Sequence, residues 1–102
     1  MIIRIVKMTF FPEAVQGFRA LFNLRYENIR YFEGCRHLEL WQDENDPCIF
    51  FTYSQWETAS DLEHYRHSTV FLQVWAEAKK GFSQKPEAWT VTRAIGYSPK
   101  EE

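Results

Sequence analysis

A chain of 102 residues is one domain's worth of protein, and its net charge of −2 leaves no basic stripe for nucleic acid. Apolar residues make up 45% of it, yet no window approaches the roughly 20 apolar residues needed to span a bilayer. Aromatic residues reach 18%, which calls for either a very aromatic core or a partner surface, and large exposed ring patches are uncommon on monomers.

The apolar run at residues 2–6 is interrupted by Arg4 and is too short for a signal peptide. Cys35 and Cys48 are a single pair without metal-type spacing. Strands through both could make them neighbours, but a reduced pair in the cytoplasm is the default expectation.

Residues 2–9 read as a strand with β-branched side chains on both faces. Pro12 suits the first turn of a helix, and Val15, Phe18, Phe22 and Ile29 then recur at helical spacing. Gly34 is expected to end that segment in a left-handed conformation. Residues 35–42 alternate, with Leu38 and Leu40 on one side and Cys35, His37, Glu39 and Trp41 on the other. A polar turn at 43–47 leads into a strand over 48–56, which predicts an antiparallel hairpin.

Thr58 is a good N-cap with Asp61 three residues on, and Leu62 and Tyr65 share a face of the short helix that follows. Ser68 looks like a second N-cap, after which Phe71, Val74, Trp75, Ala78 and Phe82 form an apolar stripe ended by Gly81 and Pro86. Residues 88–95 read as the last strand, and 98–102 as a polar tail beyond a single domain at 1–97. The order is α+β, the split β-α-β-β-α-β arrangement of ferredoxin-like folds, with four antiparallel strands carrying the helices on one face. Rings on both sides of the strands leave the other face needing cover, and a second copy placed sheet to sheet in a symmetric homodimer supplies it.

Gln55-Trp56-Glu57-Thr58, then Leu62, Tyr65, Ser68 and Phe71, with the turn Phe32-Glu33-Gly34-Cys35, resembles the antibiotic biosynthesis monooxygenase family of dimeric α+β barrels. The resemblance follows element order across residues 1–97. It implies a homodimer with a pocket in each subunit between sheet and helices. Some members oxidise polycyclic phenols or quinols with dioxygen and neither metal nor flavin; others degrade haem or isomerise small metabolites. The haem-degrading members carry an Asn on the first strand, a Trp at the position of Tyr65 and a His near that of Trp75. This chain offers Lys7 and Thr9, Tyr65 and Trp75, so haem degradation is disfavoured.

Tyr65 could hydrogen-bond or stack on a phenolic substrate, or be a core tyrosine whose hydroxyl reaches solvent. Trp75 could line a pocket or fill the core, and Trp56 suits the strand–helix corner better than a substrate contact. His37 could take a proton from a substrate hydroxyl if its face meets the pocket, or hydrogen-bond within a dimer interface. Arg93 could pair with an anionic intermediate, or with Glu39 or Asp61. His64 and His67 are three apart on one helix, but a metal would need a third ligand, with Glu63 and His37 as unplaced candidates.

The expected function is thus a cofactor-independent monooxygenase acting on an aromatic or quinol-type small molecule. Tyr65, His37 and Trp75 are the expected catalytic residues, with Phe51, Trp56, Phe71 and Arg93 against the substrate and no metal or other cofactor. The alternative is a dimer of the same fold that binds or senses a small molecule without turnover. A third possibility is that the aromatic surplus serves dimerisation alone.

Overall fold

The computed structural model describes residues 1–96. Its elements follow the expected order: β1 (Ile2–Thr9), α1 (Val15–Arg30), β2 (Cys35–Gln42), β3 (Ile49–Trp56), α2 (Ala59–Arg66), α3 (Thr69–Ala78) and β4 (Glu87–Val91). Short 3-10 turns at Pro12–Ala14 and Lys79–Gly81 open α1 and extend α3. The polar tail at 98–102 and the domain boundary at 97 lie outside the described residues. No helix of the described residues is long and apolar enough to cross a membrane.

The strands form one antiparallel sheet in the order β2-β3-β1-β4. Register decides what each face carries. Arg4 sits opposite Ser54 and Thr90, Val6 opposite Thr52 and Ala88, and Met8 opposite Phe50. This row faces the helices, where Met8, Phe50 and Leu38 pack against Phe18, Phe22 and Ile29 of α1. Just beyond β1, Phe10 stacks on Phe18 with ring centroids 4.3 Å apart. The odd-numbered row, Ile3, Ile5 and Lys7 with Gln55, Tyr53 and Phe51, forms the second face, where Ile3 is buried and the other five stay partly exposed.

Three local outcomes differ from the expectations above. Cys35 is buried with Trp56 and Leu62 on the helix side, not with His37, because the β2–β3 register shifts between Cys35 and His37. Helix α1 stops at Arg30, earlier than Gly34; the glycine lies in the following turn with φ +89°, where a Cβ would meet the Asp61 side chain at 2.4 Å. Glycine is therefore needed there both for backbone conformation and for space. Strand β4 ends at Val91, whose partner Ile3 lies one residue inside the start of β1 at Ile2, so the expected run to residue 95 would pass the end of its neighbour. The two cysteines are free thiols near opposite ends of the β2–β3 hairpin.

Candidate functional site

Between sheet and helices lies a mainly apolar cavity of about 270 Å³. Its floor is the helix-facing row of the sheet, including Arg4, Val6, Met8 and Thr52, and α1 contributes Phe18, Phe22 and Ile29. The end of α2 adds Tyr65 and Arg66, and α3 adds Phe71, Val74 and Trp75. An engineered apolar cavity of about 150 Å³ holds one benzene, so this space has room for roughly two fused rings.

The break between α2 and α3 builds the aromatic wall. Ser68 Oγ accepts from the Phe71 N–H at 3.1 Å and donates to the Tyr65 carbonyl at 2.6 Å. One side chain thus caps α3 and ties it to the end of α2. Thr58 starts α2 in the same way, its Oγ1 accepting from the Asp61 N–H at 3.0 Å. These caps bring Tyr65 edge-on to Phe71 at 5.3 Å, and Phe71 stacks on Trp75 at 5.7 Å with planes 13° apart. Each such pair adds about 0.5–1.5 kcal/mol beyond its buried area, so the wall is held by its own rings.

Few polar groups reach the cavity. Burial, and then the neighbouring Cys35 thiol, pushes the Tyr65 phenol above its ordinary value. At neutral pH its hydroxyl is therefore a donor rather than a base. Arg4 Nη1 donates to Thr90 Oγ1 at 2.8 Å. Desolvation and then the positive charge of Arg66 lower the pKa of Arg4, with Glu63 acting the other way. Arg66 Nη1 lies 3.3 Å from Glu63 Oε1. Glu87 also borders the cavity, but its carboxylate is 3.9 Å from Lys7 Nζ on the second face.

Of the residues expected from sequence, Tyr65, Trp75 and Phe71 come together on the cavity wall. Trp56 stands behind Tyr65 as a buried corner residue, its indole N–H donating to Ser54 Oγ at 3.0 Å, and it does not line the cavity. His37 and Phe51 lie on the second face of the sheet, away from the cavity. There His37 Nε2 contacts Glu39, which also accepts from the Trp41 indole N–H at 2.6 Å. That N–H first, and His37 second, hold the Glu39 carboxyl below the usual carboxylate range. Arg93 lies beyond β4, exposed and off the cavity lining. Glu39 is engaged with Trp41 and His37, and Asp61 accepts from the Thr58 hydroxyl at 2.8 Å.

His67 Nδ1 sits 3.3 Å from Glu63 Oε2 on its own helix. Among the described residues no group of three or more His, Cys, Asp or Glu is placed to hold a metal. Arg4 and Arg66, which are not among the site residues expected from sequence, also border the cavity. A signal existed for Arg4: it shares strand parity with Val6 and Met8, so it belongs to the same covered row.

A profile of the antibiotic biosynthesis monooxygenase family matches residues 1–77, which include Tyr65, Phe71 and Trp75. No curated protein matches the sequence. Among solved structures, one described as an antibiotic biosynthesis monooxygenase is similar with a TM-score of 0.87 at 19% identity, over 93% of this chain and 100% of that one. A conserved protein from Methanosarcina mazei Go1 gives 0.83 at 24% identity, over 89% and 91% of the two chains. Rv0793 from Mycobacterium tuberculosis gives 0.86 at 18% identity, over 95% and 98%. At these identities the structural likeness is one of fold, whereas the profile match reads the sequence itself over most of its length. The chain belongs to the antibiotic biosynthesis monooxygenase family.

Proposed function

We propose that this protein is a cofactor-independent monooxygenase for a small quinol-type aromatic, acting as a cytoplasmic homodimer. The observation that carries this reading is a mainly apolar cavity walled by Tyr65, Phe71 and Trp75 in a chain of this family. Ring contacts with Phe71 and Trp75 hold the substrate, and the Tyr65 hydroxyl, kept protonated by burial, donates to a substrate oxygen. With a naphthohydroquinone, dioxygen adds to a ring carbon and the O–O bond then breaks. One oxygen remains as a new ring oxygen and the other leaves as water. The substrate supplies all the electrons, so the balance needs no external reductant.

The homodimer is supported by the second face of the sheet. Trp41 stacks on Tyr53 there at 4.9 Å, and Trp89 and Val91 are 43% and 40% exposed. Packing two such faces together removes the rings from water, and His37 and Phe51 then serve the interface rather than the chemistry. Arg93 has no part in this reading.

Oxygen uptake tests the reaction. Purified protein with naphthohydroquinone should consume oxygen faster than buffer, and Tyr65→Phe and Trp75→Ala should each remove most of the excess. Uptake at the buffer rate overturns the proposal.

A second reading, binding or sensing without turnover, is favoured by one observation: among the described residues, the cavity-lining side chains include no free general base. His37 is on the other face, the Tyr65 phenol holds its proton, and Glu87 is directed at Lys7. Recovery of an unchanged aromatic compound from native protein that shows no oxygen uptake would favour this reading.

A further inference from the structure

The charged groups of the cavity carry a conclusion about its ligand. Arg4 is half-buried on the floor, anchored by Thr90, and among the described residues no carboxylate lies within salt-bridge distance of it. A guanidinium has five N–H donors, and the bond to Thr90 uses one. Arg66 borders the same cavity, and its acidic partner Glu63 is shared with His67, whose Nδ1 is 3.3 Å from the same carboxylate. Glu87 is turned to Lys7, and Tyr65 is a neutral donor. The polar side of an otherwise apolar space is therefore rich in donors and positive charge, in a chain whose net charge is −2. Two like charges bordering one cavity oppose each other, and burial first and the proximity of Arg66 second count against the charged form of Arg4, with Glu63 offsetting part of this.

We propose that the cavity selects an aromatic oxyanion, a compound of one or two rings bearing a carboxylate or an acidic ring hydroxyl, which Arg4 and Arg66 bind together. The guanidinium fork suits a carboxylate or a pair of neighbouring ring oxygens, and the rings lie against Phe71 and Trp75. This rests on the cavity being the ligand site, as in the functional reading above. It also addresses the missing base: a ligand that enters ionised, or whose hydroxyl is made more acidic by two adjacent cations, needs none from the protein.

Calorimetric titration of the full chain tests it, using naphthoate against its neutral isostere naphthamide, and hydroxynaphthoquinone against methoxynaphthoquinone. At least one anion should bind tenfold or more tightly than its neutral partner. Arg66→Gln should cut that preference severalfold, and Arg4→Gln combined with Arg66→Gln should abolish it, with the anions losing more affinity than the neutral compounds. Arg4→Lys, which keeps the charge, guards against misfolding and should retain part of the preference. Whichever anion loses more in the double variant identifies the oxyanion read, carboxylate or ring oxygen. If the neutral compounds bind equally well, or the double variant keeps the preference, the arginine assignment falls while the cavity as ligand site stands. If none of the four binds, both fall.

Discussion

Tyr65 lies over Trp56 with ring centroids 4.8 Å apart and planes 27° from parallel, so a phenol bordering the cavity is backed by an indole that is 1% exposed. Phe32 meets both rings edge-on, at 6.5 Å from Trp56 and 5.4 Å from Tyr65. Trp56 is itself fixed, its N–H donating to Ser54 and its backbone paired with Ile2 and Cys35 on either side. The orientation of the Tyr65 hydroxyl is thus set from behind by residues that do not touch the cavity.

Replacing Trp56 should therefore be costly and should also disturb Tyr65. Trp56→Ala removes a large buried side chain and leaves a hole beside Tyr65 and Phe32, which costs about 3–5 kcal/mol in chemical denaturation. Trp56→Phe keeps a ring in place and should cost distinctly less. A loss below about 1 kcal/mol for the alanine variant would mean the corner is not packed as described.

Much of this arrangement was legible in the sequence because it is set locally. Thr58 and Ser68 cap helices by reaching an N–H one turn ahead, a relation written in residues three apart. The element order followed from hydrophobic period for the same reason. What depended on distant partners was harder. An extension of β4 to residue 95 would outrun β1, which begins one residue before the partner of Val91, and the side taken by Cys35 depends on a bulge opposite β3. Leu38 and Trp41 sit on opposite faces of β2, and the ring of Trp41 among His37 and Glu39 left open whether that side meets a cavity or a partner. Register places His37 beside Gln55, and Phe51 of β3 beside Trp41, on the second face.

Alkaline pH should weaken the fold in two stages. Burial raises the Cys35 thiol and the Tyr65 phenol, so the folded chain keeps both protons to higher pH than the unfolded chain does. Stability falls with pH wherever the folded state holds more protons. The contribution is complete below the ordinary thiol value of 9.0, declines first through Cys35, and declines further above the ordinary phenol value of 10.0 through Tyr65. Urea midpoints measured from about pH 8 to about pH 11 should trace this slope, and Tyr65→Phe should flatten its upper part. Among the described residues nothing hydrogen-bonds to the Tyr65 hydroxyl to shift its pKa, so the variant should be nearly as stable as the parent at neutral pH. A flat midpoint across that range in the parent protein would refute the account.

Gly34 and Asp61 make a second pair whose closeness has a measurable consequence. Gly34→Ala places a methyl group 2.4 Å from the Asp61 side chain at a φ of +89° that alanine rarely adopts. The expected cost is about 1–3 kcal/mol from the backbone alone, with the clash in addition. Asp61 must move to relieve the clash, and it donates its N–H to the Thr58 cap of α2. Thr58→Ala by itself should cost about 1 kcal/mol. Because both changes loosen the same helix start, the double variant should lose less than the sum. Simple additivity in denaturation measurements would show that the turn and the cap are independent.

The second face of the sheet gives the prediction with the largest effect on assembly. Tyr53, Ile5 and Trp89 sit side by side on β3, β1 and β4, and Phe51, Lys7 and Glu87 form the next row. The Trp41 ring stacks on Tyr53 with planes 14° apart, which extends this apolar row to β2. If two such faces meet across a twofold axis, the protein should sediment at twice its chain mass of 12.3 kDa at micromolar concentration. Tyr53→Glu places a carboxylate at the middle of that face, where it must be buried without a counter-charge in the dimer but stays solvated in the monomer. An interface hot spot of this kind is worth about 2 kcal/mol or more, so the dissociation constant should rise at least roughly thirtyfold. Naphthoate binding in the cavity should change little, because Tyr53 and the cavity lie on opposite sides of the sheet. A parent protein that stays monomeric at high micromolar concentration would remove the sheet-to-sheet dimer, and the exposed rings of Trp41 and Trp89 would then need a different partner.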